Sequence, residues 1–265
     1  MRVEFGMPTL IEEADLERCA ALCSNLGLDF VELNMNMPQY QLDALDEKQA
    51  AEIAAEYGIY YTLHLDENLN VADFNPYIAE GYRRTVMESI ELAKRLHMPI
   101  LNMHMHSGVY FTLPEKRVYL FEVYRERYLR DMRIFRDACE RAIGDSGITL
   151  CVENCDGFTG YQQEAIDLLL ESPVFALTFD VGHNHSCGGK DEPFVLAHGA
   201  HLRHMHLHDA LGKKNHLALG SGEMDINGRL RLAEEHDCRV VLETKTIAGL
   251  GVSEHWMKEN GWMTR

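Results

Sequence analysis

The chain has 265 residues, 46% of them hydrophobic, and a formal net charge of −17. That length suits one (β/α)₈ barrel of about 250 residues, and the charge repels duplex nucleic acid unless a basic stripe overrides it. Only small basic clusters occur: Arg83-Arg84, Arg125/Arg127/Arg130 and Lys213-Lys214. The first two fall in helical stretches, where they read as a solvated face, so no nucleic-acid partner is predicted. The seven cysteines are scattered and include no CxxC pair, which argues for reduced thiols and a cytoplasmic setting. The N-terminal MRVEFGMPTL carries no apolar signal region, and no apolar run reaches membrane-spanning length, so no membrane partner is predicted.

Along the chain, short β-like runs alternate with helical patterns. Strands are predicted over residues 2–7, 29–35, 59–65, 100–106, 148–154, 175–181, 202–208 and 239–244. Helices are predicted over 12–26, 44–57, 76–97, 115–143 and 161–171, followed by three shorter ones near 192–198, 227–236 and 253–260. Gly27, Gly58 and Gly147 follow predicted helix ends, where a left-handed backbone is wanted. Such alternation calls for a parallel sheet, and eight units point to closure into a single α/β barrel. No linker or composition shift divides residues 1–265, which read as one domain.

Strand parity locates the chemistry. Asn102, His104 and His106 alternate with Leu101, Met103 and Met105; His204, His206 and His208 alternate with Met205 and Leu207; Tyr60, Thr62 and His64 alternate with Tyr61, Leu63 and Leu65. Side chains of a strand point alternately to opposite faces, so the apolar set packs under the helices and the polar set lines the interior. At the C-terminal ends of six successive strands stand His64, His104, Glu153, Asp180, His206 and Glu243. Barrel active sites sit at that end. One such residue alone is ordinarily a hydrogen-bonded polar side chain. Six at one level need mutual compensation, which a divalent metal supplies, and the nitrogen-plus-carboxylate set suits zinc, manganese or cobalt.

The segments Glu153-Asn154, Asp180-Val181-Gly182-His183, His206-Leu207-His208-Asp209, His216-Leu217-Ala218-Leu219-Gly220-Ser221-Gly222 and Leu242-Glu243-Thr244, in that order, resemble the xylose isomerase-like barrel superfamily. Its members include sugar and sugar-phosphate isomerases, ketose epimerases, inosose dehydratases and zinc-dependent abasic-site endonucleases. The resemblance spans nearly the whole chain. It implies metal ligands at Glu153, Asp180, His206 and Glu243, and catalytic roles for Glu153, Glu243 and His183. It further implies a second metal site at His64, His104 and Glu153, as in the endonuclease branch, so one or two ions per chain. A third endonuclease ion would use His183, His216 and an Asp two residues before the latter; Lys214 stands there and opposes it. The ketose epimerases also carry an arginine shortly after the strand-seven histidine, where this chain has Asp209-Ala210-Leu211-Gly212.

Two reactions follow from these implied sites. Paired glutamates beside a metal suit isomerisation or epimerisation of a sugar or sugar phosphate by proton transfer next to a carbonyl. The alternative is a dinuclear zinc hydrolase of the endonuclease IV type acting on a phosphoester. A third reading, a non-enzymatic sugar- or metal-binding barrel, is opposed by the retention of all the core ligands. His64, His104, His208, His216 and Lys245 are further candidates to contact substrate, Lys245 as the preferred phosphate partner over Lys190, Lys213 and Lys214. Glu32 and Asn34 read equally as substrate contacts or supports, His106 and His208 as mouth residues, and His204 as a hydrogen-bonded interior histidine. The partner implied is a small sugar-like molecule, and such barrels are commonly homo-oligomers.

Overall fold

A computed structural model describes residues 2–263; of the expected 1–265 domain, Met1, Thr264 and Arg265 lie outside the described residues. Eight parallel strands close into a barrel: β1 Glu4–Pro8, β2 Phe30–Asn34, β3 Tyr60–His64, β4 Ile100–His104, β5 Thr149–Glu153, β6 Phe175–Asp180, β7 Leu202–Leu207 and β8 Arg239–Leu242. They neighbour one another in chain order, and β8 closes on β1 with Glu4 opposite Arg239. The helices that cover them are α1 Leu16–Asn25, α2 Glu47–Tyr57, α3 Pro76–Arg95, α4 Arg125–Ile143, α5 Gly160–Leu170, α6 Glu192–Ala197, α7 Ile226–Glu235 and α8 Ile247–Glu259.

Several helix ends follow from local chemistry. Asp15, Asp46 and Asn75 cap α1, α2 and α3 by accepting from the backbone N–H of Arg18, Gln49 and Tyr77. Gly58 ends α2 at φ 65°, in the left-handed region that glycine enters without steric cost.

Expected parity matches observed packing. The main apolar core lies between barrel and helices and takes Val31, Leu33, Tyr61, Leu63, Leu101, Met103, Leu150, Val152, Met205 and Leu207. Each such side chain, fully buried, stabilises the fold by roughly 1.5–3 kcal/mol relative to exposure. A separate small apolar cluster, Ile100, Cys151 and Ala176, has the opposite parity and plugs the barrel interior. Above it the interior turns polar, with Glu32, Thr62, Asn102, Thr178, His204 and His206 all buried. Strand β7 carries a bulge: Leu177 pairs with Leu202, but the next residue, Thr178, pairs with His204, leaving Arg203 as an extra, exposed residue.

The structure corrects two element assignments and adds a hairpin the sequence did not indicate. Residues 115–143 are not one helix: Tyr110–Thr112 and Arg117–Tyr119 form an antiparallel hairpin, Leu120–Val123 a short turn of helix, and only then does α4 begin. The hairpin is held by local contacts, Tyr110 on Tyr119 with ring centroids 5.4 Å apart and the Arg117 guanidinium 4.7 Å from the Tyr110 ring, which leave no long-range hydrophobic period to read. A second hairpin, Asp209–Leu211 with Lys214–Leu217, follows β7. Finally, α8 starts at Ile247 rather than near 253, because Thr246 caps it on Gly249 N–H while Gly249 and Gly251 interrupt its hydrophobic pattern.

Candidate metal centre and active site

Strand ends bring the expected ligands together over the polar interior. His206 sits at the centre: its Nδ1 is 3.0 Å from Glu153 Oε1, 3.6 Å from Glu243 Oε2 and 4.0 Å from Asp180 Oδ2. Glu153 turns its other oxygen to the neighbouring strands, with Oε2 3.3 Å from the Nε2 atoms of both His64 and His104. Ligand atoms of Glu153, Asp180 and His206 lie within 4.8 Å of one another, as do those of His64, His104 and Glu153. Glu243 groups instead with Asp180 and His208.

These carboxylates are buried, and their charge has to be met locally. Burial pushes the Glu153 carboxyl up, but the charges and hydrogen bonds of His206 and His104 outweigh it and hold Glu153 well below the usual range. For His206, burial lowers the imidazole pKa, and Glu153, Glu32 and Glu243 overcome this to raise it well above normal. Burial likewise lowers His64, but its hydrogen bond to Glu153 carries it to about 9. Imidazolium thus serves as counter-charge. One oxygen, Glu243 Oε2, is buried without a hydrogen-bond partner among the described residues, although His206, His208 and His216 nitrogens stand 3.6–3.8 Å away. A buried carboxylate oxygen left in this way, among nitrogen and oxygen donors, fits a divalent cation.

Several supporting residues were not singled out from the sequence. Asn102 donates to Glu153 Oε2 and accepts from Thr178 Oγ1 at 2.6 Å, so it fixes the carboxylate that His64 and His104 share. Asn154 brackets Asp180 through both backbone groups, its Oδ1 accepting from Asp180 N–H and its Nδ2 donating to Asp180 C=O, each at 2.9 Å. Asp180 in turn caps the short helix Val181–Ser186, accepting from His183 N–H at 2.6 Å. The signal for Asn102 was present, since it shares the inward parity of His104; Asn154 is legible only inside the Glu-Asn motif.

Glu32, left open between two roles, is a support. Its Oε2 lies 2.9 Å from His204 Nε2 and 3.1 Å from the Thr62 hydroxyl. Its Oε1 lies 2.9 Å from His206 Nε2, close enough for an ion pair though off the axis of the ring N–H. That contact occupies the far nitrogen of His206 and leaves Nδ1 for the carboxylates. Asn34 turns back to its own loop, accepting from Asn36 N–H.

His208 needs correction as a mouth residue: it is fully buried. Its Nδ1 accepts the His216 N–H at 2.8 Å, so the ring proton sits on Nε2, which faces Asp180 Oδ1 at 3.2 Å. The ring packs on Gly182 so tightly that a Cβ there would come within 2.0 Å of it, which explains the glycine in Asp180-Val181-Gly182-His183. Asp209 staples the second hairpin, accepting from the N–H groups of Ala210, Gly222 and Met224. Gly222 is required there, since a Cβ would meet Ala210 O at 2.3 Å.

The hairpin delivers His216 over the site. Burial holds its pKa down at about 4, so the ring is neutral near pH 7. Its Nδ1 lies 3.1 Å from the Glu243 carbonyl, which can only accept, so Nδ1 carries the proton. Nε2 is then an acceptor for His183 Nε2–H, 3.3 Å away. Lys214 is exposed on the same hairpin. Lys245, expected to face a phosphate, has its ammonium 2.7 Å from Glu243 Oε1 and is paired there.

This geometry can be compared with known proteins. Residues 20–263 match the model of the xylose isomerase-like TIM barrel family. The chain belongs to that family. An uncharacterized protein of Methanocaldococcus jannaschii, MJ1188, is 23% identical over 212 residues, covering 77% of this chain and 73% of its own. Among solved structures, a D-tagatose 3-epimerase-like protein superposes with a TM-score of 0.78 at 23% identity, covering 98% of this chain and 96% of the other. The 3-keto-D-glucoside 4-epimerase YcjR of E. coli gives 0.74 at 11% identity over 97% and 100% of the two chains. A zinc-bound IolI protein gives 0.73 at 12% identity over 99% and 100%. At these identities the superpositions establish the shared barrel. No helix among the described residues is long and apolar enough to cross a membrane.

Proposed function

We propose that this protein is a divalent-metal-dependent isomerase or epimerase of a sugar-like substrate. The observation that carries the reading is the convergence of Glu153, Glu243 and Asp180 on one nitrogen of His206, at 3.0, 3.6 and 4.0 Å. Family membership and the sugar epimerases among its structural relatives support it. Glu153, Asp180, His206 and Glu243 would hold the ion, whose chemistry there is to polarise a substrate carbonyl and its neighbouring hydroxyl as a Lewis acid. One of the two glutamates takes the proton from the carbon beside the carbonyl, and the other returns one to the opposite face. Held low, both are carboxylates at neutral pH, so Glu153 takes the proton and Glu243 returns one that it receives from the Lys245 ammonium, 2.7 Å from its Oε1. His183, hydrogen-bonded through Nε2–H to His216, keeps Nδ1 as an acceptor for a substrate hydroxyl. Asp209 and Gly222 hold the hairpin that positions this pair.

The reading is tested by supplying ketoses and aldoses in D₂O to protein loaded with manganese, cobalt or zinc, and following deuterium entry beside the carbonyl by NMR. Wild type is expected to exchange at least one sugar; Glu153→Gln is expected to stop exchange, weaken metal binding and keep the barrel fold. No exchange with any sugar and any of the three metals would overturn it. The dinuclear phosphoesterase is the second reading, favoured by the equal 3.3 Å approach of His64 and His104 to Glu153. Two metals per chain by mass spectrometry, together with phosphoester hydrolysis, would select it.

A further inference from the structure

Beside the carboxylate cluster lies a cleft of about 430 Å³ at the barrel mouth. Asp180, His206 and Glu243 do not line it; it meets the cluster at His104, whose Nε2 is 3.3 Å from Glu153. Its volume lies within the roughly 300–1,000 Å³ typical of small-molecule sites, so it offers room for a group additional to the reacting one.

The walls are built before any ligand arrives. Tyr119, at the end of the first hairpin, packs on Tyr161 with centroids 6.0 Å apart, and Phe158 packs edge-on against Phe194 at 5.8 Å. The Phe158 loop is pinned by Asp191, which accepts the Phe158 N–H at 2.6 Å. Between these rings stand Glu67, Asp156, His106 and Lys190. Glu67, Asp156 and Lys190 make no ion pair among the described residues, so their charged ends are free to meet a ligand. His106 Nδ1 accepts the Gly108 N–H at 2.9 Å, so its Nε2–H is a donor.

We infer that this cleft is a subsite for a second, uncharged sugar ring, so that the substrate is a glycoside rather than a free monosaccharide or a sugar phosphate. Two carboxylates against one ammonium disfavour a phosphate there, and the net charge of −17 adds to the repulsion. Ring hydroxyls, by contrast, donate to Glu67 and Asp156 and accept from Lys190 and His106. The aromatic walls suit the apolar faces of a pyranose. Phosphate contact through Lys190, the alternative suggested by sequence, is displaced by this assignment.

The inference rests on the sugar reading of the adjoining centre, so its test is a binding measurement. Calorimetric titration of the metal-loaded protein would compare the reducing disaccharides cellobiose, maltose and maltulose with D-glucose, D-fructose and D-glucose 6-phosphate. At least one disaccharide is expected to bind about tenfold or more tightly than its component monosaccharides. Asp156→Asn, an exposed change that spares the fold, and Phe158→Ala are each expected to abolish most of that advantage and leave monosaccharide affinity unchanged. Disaccharides binding no better than monosaccharides, or an advantage untouched in both variants, would overturn the subsite while sparing the sugar reading. Tighter binding of the phosphate ester would make the cleft an anion site and overturn it as well. Failure of every sugar to bind would remove the sugar reading and the subsite together.

Discussion

Glu32 is a buried acid that reaches the centre through its histidines. It spends both oxygens on histidines, His204 and His206, and takes the Thr62 hydroxyl as well. A carboxylate on the outer nitrogen of a ligand histidine fixes ring orientation and strengthens the inner nitrogen as a donor. Glu32→Gln keeps the shape but must turn its amide N–H₂ toward one of the two rings. Its expected effect is a loss of about 10–100-fold in metal affinity, read by competition with a fluorescent chelator, with an unchanged circular dichroism spectrum. An affinity equal to wild type would make Glu32 a packing residue only. His208 acts similarly on Asp180: alternation gives its inward direction, but nothing in the sequence shows that the second hairpin closes over it.

At the scale of elements, ion pairs stitch the outer shell. Arg229 on α7 forks onto both oxygens of Glu192 on α6, at 2.6 and 2.9 Å. The Arg229 hydrogen bond and charge hold the Glu192 carboxyl below its ordinary 4.5. A depressed carboxyl contributes stability above its unfolded pKa and loses it as pH falls through the folded value. Arg229→Met is therefore expected to cost about 1 kcal/mol at pH 7 and progressively less as pH falls below the ordinary carboxyl range, measured by urea unfolding across that range. A cost independent of pH would assign the effect instead to the Arg229 guanidinium lying over the Phe179 ring, 5.7 Å from its centroid. The barrel strands were legible because parity and closure repeat eight times. The two hairpins were not, because they rest on pairwise contacts: Tyr110 with Tyr119, and Asp209 with three backbone N–H groups. The inward convergence of the candidate ligands was legible for the same reason as the strands, while Asn102 and Asn154 were hidden by ambiguity, since an inward Asn reads equally as a structural hydrogen-bonder.

Over the whole molecule, the acidic balance sorts substrates before any contact is made. A field of net charge −17 slows anions at low salt and leaves neutral molecules indifferent. For a neutral glycoside, KM is expected to stay constant from about 20 mM to about 500 mM salt, over which the screening length shrinks severalfold. For a phosphorylated sugar, KM would fall as salt rises. A salt-dependent KM for the best substrate would therefore contradict a neutral one. Carboxylate content also explains why buried imidazolium is tolerated at the centre: the interior holds Glu32, Glu153, Asp180 and Glu243, of which the Lys245 ammonium answers only Glu243.

The bulge at Arg203 marks a seam where the chain can change length without disturbing the chemistry. Leu202 already faces the outer core and His204 the interior, so joining them directly would restore ordinary alternation and leave the three inward histidines in phase. Deleting Arg203 should thus preserve metal binding, seen in an unchanged ion-to-chain ratio. Deleting Met205, two positions on, would turn His206 out of phase with Asp180. Relatives that drop a residue should therefore do so before the first of these histidines and not among them, making the seam a natural place for a gap when such sequences are aligned.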